Sequence, residues 1–115
     1  MDNETIPLDS SSSSTKEPLY ILSLLNNELK SSSWKLIHKT YDIGRSSENS
    51  IILDDITVSR NHALISVSKE NIKIIDKDST NGIYINNQII SECKLKSGDK
   101  IQIGKYMLLL TKVMK

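Results

Sequence analysis

A chain of 115 residues can bury one real core and is too short for two. Its 15 Lys and Arg nearly balance its 14 Asp and Glu, and a net charge of +1 excludes a general pull toward nucleic acid or an anionic membrane, so anion binding has to be local. The one cysteine, Cys93, excludes an internal disulfide, and the longest apolar run, Tyr106 to Leu110, is far shorter than the roughly 20 residues of a membrane helix.

The N-terminus is acidic and polar, unlike a signal or transit peptide. A soluble cytoplasmic protein is expected, with the nucleus as the other compartment open to it. Residues 1–18, MDNETIPLDSSSSSTKEP, carry five consecutive serines and two prolines but few apolar side chains. Such a composition cannot bury enough surface to offset chain entropy, and it predicts a disordered tail ahead of a domain over 19–115.

The next stretch, EPLYILSLLNNELKSS, is ambiguous. Leu19, Leu22, Leu25 and Leu29 recur at near-helical spacing behind a proline, which locally favours a helix. Beyond it come short runs rich in Ile, Val, Leu and Tyr: WKLIH, YDIG, SIIL, HALISVS, NIKIID, IYIN, QII, KIQI and KYMLLLTKV. SSENS, DKDSTNG, INNQ and KSGDK punctuate them as turns. Many short runs with frequent turn signals predict an all-β antiparallel sandwich or barrel. With no long helical pattern between strands, a parallel α/β sheet is not expected.

Polar residues at the ends of these runs form the constellation of interest: Gly44-Arg45, Ser59-Arg60-Asn61-His62 and Ser79-Thr80-Asn81-Gly82. If the three loops share one end of a sandwich, they offer two guanidinium groups, hydroxyls and a carboxamide on one surface. A guanidinium fork suits the oxygens of a phosphate, and serine and loop N–H groups add further donors. Catalysis has little to work with. There are no paired carboxylates, no nucleotide loop and no metal-ligand set, and Ser59 with His62 has no carboxylate evidently placed to orient the ring. Two histidines and one cysteine far apart make a zinc site improbable, and no cofactor is expected. No basic stripe suggests nucleic acid.

In order and spacing, GR, SRNH and STNG resemble the hallmarks of the forkhead-associated (FHA) domain. Fourteen residues separate Arg45 from Ser59 and nineteen separate His62 from Asn81. INNQII and KLKSGDKIQIG are similar to the family's closing strands, with Gly98-Asp99 as a turn, and the likeness covers about 19–113. The resemblance implies a two-sheet antiparallel β-sandwich of about eleven strands that binds phosphothreonine in a flexible partner segment. It also implies that 19–25 form the first strand, overriding the weak helical preference there.

Carried over residue by residue, the resemblance places Arg45, Ser59, Arg60 and Thr80 at the phosphate and Thr57, Asn61 and Asn81 along the ligand peptide. Asn81 would hold the ligand backbone just after the phosphothreonine. Gly44, which suits a tight turn that aims Arg45, Gly82 and His62 have structural roles, the histidine bridging loops. Each also has a plainer reading, as a solvated arginine, a turn-capping serine, or an Asn-Gly hairpin turn at 81–82. Trp34, His38 and Tyr41 are expected to pack. Asp54 and Asp55, near the site in sequence, can favour a basic ligand residue.

Thr5, in NETIPLD with Leu8 three positions on, is a candidate phosphosite. Once modified it can occupy such a site in its own domain or in a second copy; the plainer reading is an inert tail on a monomer. The expected partner is a phosphothreonine-containing protein, not nucleic acid or membrane. The competing function is an interaction scaffold of the same fold that ignores phosphate.

Overall fold

Alternation of apolar and polar side chains sets the architecture. The computed structural model describes residues 19–25, 32–37, 39–69 and 71–113, and its described residues form eleven strands and no helix. They are β1 (Leu19–Leu24), β2 (Ser33–Leu36), β3 (Thr40–Gly44), β4 (Ile51–Ile52), β5 (Ala63–Val67) and β6 (Ile72–Asp76). There follow β7 (Ile83–Ile85), β8 (Gln88–Ile90), β9 (Glu92–Leu95), β10 (Lys100–Ile103) and β11 (Tyr106–Val113). One sheet has the order β9-β6-β5-β3-β4 and the other β2-β1-β11-β10-β7-β8.

The two sheets face each other across a core of aliphatic side chains. Leu22, Leu36, Ile43, Ile65, Ile74, Ile83, Ile101, Ile103, Leu108 and Leu110 are all fully buried. Burying one such side chain contributes about 1.5–3 kcal/mol, which locks the register, because a one-residue slip would turn the set to solvent.

The ambiguous first segment resolves by the same logic. Tyr20, Leu22 and Leu24 are buried with period two, and β1 pairs with β11 from Leu24↔Leu108 to Leu19↔Val113. Leu25, a member of the helical set, is 49% exposed. The tail at 1–18, with Thr5, lies outside the described residues, as do Leu29 and His38.

Two details differ from expectation. The sandwich is not wholly antiparallel: β4 runs parallel to β3, pairing Ile43↔Ile51 and Gly44↔Ile52. The chain reaches β4 by a short loop and then leaves for β5, which frees a long loop, 53–62, to cross the sandwich end. Glu92–Leu95 is also a strand, although ECKL has no apolar run. It is an edge strand with only Leu95 buried, and Lys73 reaches Glu92 at 3.0 Å across the β6–β9 pair.

The expected Gly98-Asp99 turn is present. Asp99 is buried, which pushes its carboxyl up. The Lys96 N–H, the Asn86 carboxamide and the Lys96 ammonium outweigh that burial and hold it below the usual value.

Candidate functional site

The loops after β3, before β5, between β6 and β7 and between β10 and β11 meet at one end of the sandwich. Backbone bonds stitch the first two together: Arg45 N–H donates to Ser59 O at 3.0 Å, Ser46 N–H to Arg60 O at 3.3 Å and His62 N–H to Ile43 O at 2.9 Å. That approach explains Gly44. A Cβ there would overlap the Arg60 carbonyl and lie 2.8 Å from Asn49 Nδ2. Glycine is therefore required for close packing of two chain segments, rather than for the turn conformation expected from the sequence.

Arg45 is held before any ligand arrives. Its Nε–H donates to Val58 O at 2.9 Å, and its two terminal amino groups have no partner among the described residues. Ser59 is fixed at both ends: its N–H donates to His62 Nδ1 at 3.0 Å and its Oγ accepts the Thr80 N–H at 3.0 Å. The hydroxyl keeps its own proton to donate.

His62 is fully buried. Because Nδ1 accepts from Ser59, the ring proton sits on Nε2, which donates to Gly82 O at 2.8 Å. The ring thus joins the 59–62 loop to the 79–82 loop. It touches the serine's backbone rather than its hydroxyl, an arrangement unsuited to a general base.

Asn81 Nδ2–H donates to Thr57 O at 2.9 Å, leaving Oδ1 to accept. Gly82 has φ +81°, the left-handed conformation that glycine favours, and Ser79 Oγ accepts its N–H at 2.9 Å. The Asn81-Gly82 pair is not a two-residue hairpin. That turn is made by Asn86 and Asn87, at φ 49° and 74°, between Ile85 and Gln88.

Arg45, Thr57, Ser59, Arg60, Thr80 and Asn81 line one open cleft of about 240 Å³, joined by Ile56 and Val58. Two guanidinium groups and no carboxylate line it, so its field is positive. Asn61 is exposed and does not line it.

Thr57 is there chiefly as a strut. Its hydroxyl donates to Asp55 Oδ2 at 2.6 Å and accepts the Lys105 N–H at 2.9 Å. Asp55 also accepts the Thr57 N–H at 2.9 Å and pairs with Lys105 Nζ at 3.2 Å. These contacts, the Thr57 hydroxyl first, lower its pKa to about 2. Asp55 is therefore spent within the protein and Asp54 does not line the cleft, which removes the expectation that they recruit a basic ligand residue.

Two residues escaped the sequence reading. Asn49 is buried, its Nδ2 donating to Ser46 O at 2.9 Å and Arg60 O at 2.8 Å, so it cross-links two of the loops. Nothing in SSENS separates it from an exposed turn residue. Ile56, 89% exposed, forms the apolar rim of the cleft. Flanked by Asp and Thr in a loop, it carries no signal of that position.

The FHA domain model matches residues 41–104. The chain belongs to the FHA domain family. Beginning at Tyr41, the match omits β1 and β2, which nonetheless complete the six-stranded sheet. The FHA domain is a non-enzymatic binding module, and the relatives bear regulatory names. The chain is similar to the oxoglutarate dehydrogenase inhibitor of Corynebacterium efficiens, 42% identical over 69 residues, covering 60% of this chain and 49% of that protein.

Among solved structures it is similar to a chain from a structural and functional analysis of phosphothreonine-dependent FHA domain interactions. The TM-score is 0.75 with 28% identity, covering 81% of this chain and 95% of that one. It is also similar to Mycobacterium tuberculosis EmbR in complex with a low-affinity phosphopeptide, at TM-score 0.71 and 30% identity over 79% of this chain and 24% of EmbR. The chain spans about half or less of the length of the curated relatives it matches first. No helix among the described residues is long and apolar enough to cross a membrane.

Proposed function

We propose that this FHA domain is a phosphothreonine-dependent protein-binding module, acting as a signalling adaptor. The observation that carries this reading is the cleft in which Arg45, Ser59 and Arg60 meet with no acidic side chain. A phosphothreonine brings about −1.5 to −2 charges and three acceptor oxygens. The Arg45 terminal amino groups, the Ser59 hydroxyl and the Arg60 guanidinium donate to those oxygens, with the Thr80 side chain beside them. Each charge-assisted bond contributes about 1.5–3 kcal/mol.

Asn81 Oδ1 accepts a backbone N–H of the ligand just after the phosphothreonine and holds it extended. In this reading Thr57 reaches the peptide only through what it positions, Asn61 meets it at most at the rim, and Gly44, His62 and Gly82 keep the loops in register. The likeness to EmbR with its phosphopeptide and to phosphothreonine-dependent FHA chains supports the assignment. The likeness to an enzyme inhibitor supports a regulatory role for the protein that carries this domain, and a cytoplasmic location is part of the same proposal.

The partner is a protein, and the free domain acts as a monomer. Thr5 remains a proposed phosphosite; phosphorylated there, the protein would compete with external phosphopeptide or self-associate, and the absence of both effects would end that idea. The deciding experiment is titration against a phosphothreonine peptide library with unphosphorylated and phosphoserine controls. Binding that needs the phosphate supports the module; equal binding without it favours a phosphate-independent scaffold.

A further inference from the structure

Of the four glycines, only Gly82 follows an asparagine or an aspartate. An Asn-Gly step is chemically labile, because the glycine amide nitrogen, with no side chain beside it, can close on the asparagine side-chain carbonyl carbon. In this chain the step falls on Asn81, a residue that lines the phosphate cleft.

Both reacting ends are tied down. The nucleophile is the Gly82 nitrogen, and its N–H donates to Ser79 Oγ at 2.9 Å. The leaving group is Asn81 Nδ2, which donates to Thr57 O at 2.9 Å. His62 Nε2 donates to Gly82 O at 2.8 Å, so this glycine is fixed at its carbonyl as well as its N–H. Asn81 is exposed to water, whereas Gly82 is buried. Ring closure has to free the Gly82 N–H and carry the carboxamide off Thr57, and it breaks a bond at each end.

We propose that Asn81 is a site of spontaneous deamidation, that the Ser79 hydroxyl is the brake on it, and that the reaction switches the phosphate cleft off. Only the switching rests on the phosphothreonine reading of the cleft. A hydroxide ion takes the Gly82 amide proton, the nitrogen bonds to Asn81 Cγ, and Nδ2 leaves as ammonia. Water then opens the cyclic imide at either carbonyl, giving aspartate or isoaspartate.

Either product puts a carboxylate into a cleft that no acidic residue lines. There it repels a phosphate that carries about −1.5 to −2 charges. Isoaspartate also lengthens the main chain by a methylene, in the very loop that His62 ties down. A bound ligand that donates to Asn81 Oδ1 adds one more restraint. An occupied cleft is therefore preserved and an idle one is lost.

The test follows the mass gain of deamidation, located to residue 81 by peptide mapping. Wild type, Ser79→Ala, Ser79→Thr and Gly98→Ala are kept folded in warm, mildly alkaline buffer, alone or with saturating phosphothreonine peptide. Ser79→Ala should react about fivefold faster than wild type, the worth of one neutral hydrogen bond, and Ser79→Thr should restore the slow rate. Gly98→Ala, which strains a turn away from this loop, should react like wild type. The peptide should slow every one of them.

Asn81→Asp, the product made genetically, should bind phosphothreonine peptide at least about tenfold more weakly than fresh wild type. Equal rates in wild type and Ser79→Ala, or an equal acceleration in Gly98→Ala, overturn the brake. Undiminished binding by Asn81→Asp overturns the switch. Fresh wild type that binds no phosphothreonine peptide overturns the parent reading and the switch with it, while the rates at residue 81 still judge the modification site.

Discussion

The Thr57 hydroxyl lies 2.6 Å from Asp55 Oδ2, and the Thr57 carbonyl holds the Asn81 carboxamide at 2.9 Å. A carboxylate facing away from the cleft thus governs a carboxamide facing into it. Thr57→Val removes the hydroxyl and leaves the Lys105 N–H without its acceptor, at a cost of about 1–2 kcal/mol in stability. Asn81 should lose its fixed orientation, and phosphopeptide affinity should fall several-fold. In an Asn81→Ala background the same substitution should cost no further affinity. Full additivity in that double-mutant cycle would show that Thr57 acts elsewhere.

Acid should expose the Asp55 network. Its folded pKa of about 2 lies below the ordinary aspartate value of 3.8. A depressed carboxylate pKa stabilises the fold above the unfolded value, and that stability is lost as pH falls from about 4 toward 2. The lowered Asp99 acts in the same direction. Melting temperature should therefore vary little with these two groups between pH 5 and pH 8 and drop below pH 4. Asp55→Asn should lessen the acid sensitivity, as thermal melts at stepped pH would show.

Arg45→Ala should leave the melting temperature nearly unchanged and weaken phosphothreonine peptide binding by about tenfold to more than a hundredfold. Arg45→Lys keeps the charge but loses the fork and the geometry that Val58 imposes, so it should recover only part of the affinity. Titrations of all three proteins with one peptide check the order.

Gly44→Ala and Gly98→Ala separate two uses of glycine. At Gly44 the new methyl would run into the Arg60 carbonyl, whereas at Gly98, with φ +97°, nothing lies within 4 Å. The first should cost about 2 kcal/mol or more and disturb ligand binding. The second should cost about 1 kcal/mol from backbone strain alone and leave binding intact. Urea unfolding with peptide titration of each variant measures both.

His62→Ala should be the most damaging change at the site. It strands the Ser59 N–H and Gly82 carbonyl and leaves a cavity, costing about 3–5 kcal/mol. Loss of the folded state on heating or in mild urea would be the readout.

Period-two burial made most strands legible, from Ala63–Val67 to Lys100–Ile103, because a half-buried strand has to alternate. The segment at Leu19 misled because leucines at helical and strand spacing overlap, and only pairing with β11 decides between them. ECKL was hidden because an edge strand needs little apolar content.

At the site, the loop residues Arg45, Ser59, Thr80 and Asn81 could be named from the resemblance to the FHA hallmarks, and the fold brings them to one cleft. Asn49, and the inward turn of Asp55, could not be read. Both depend on which loops touch, a relation between positions 11 residues apart for Asn49 and Arg60 and 50 apart for Asp55 and Lys105.

The latches on Arg45 and Asn81 also bear on kinetics. With Val58 O and Thr57 O already clamping these side chains in the free protein, encounter with a ligand need not await loop rearrangement. Little ordering entropy is then charged to the protein, and most of it falls on the flexible partner. Differences between competing ligands should accordingly appear in how long each stays bound, with arrival rates much alike.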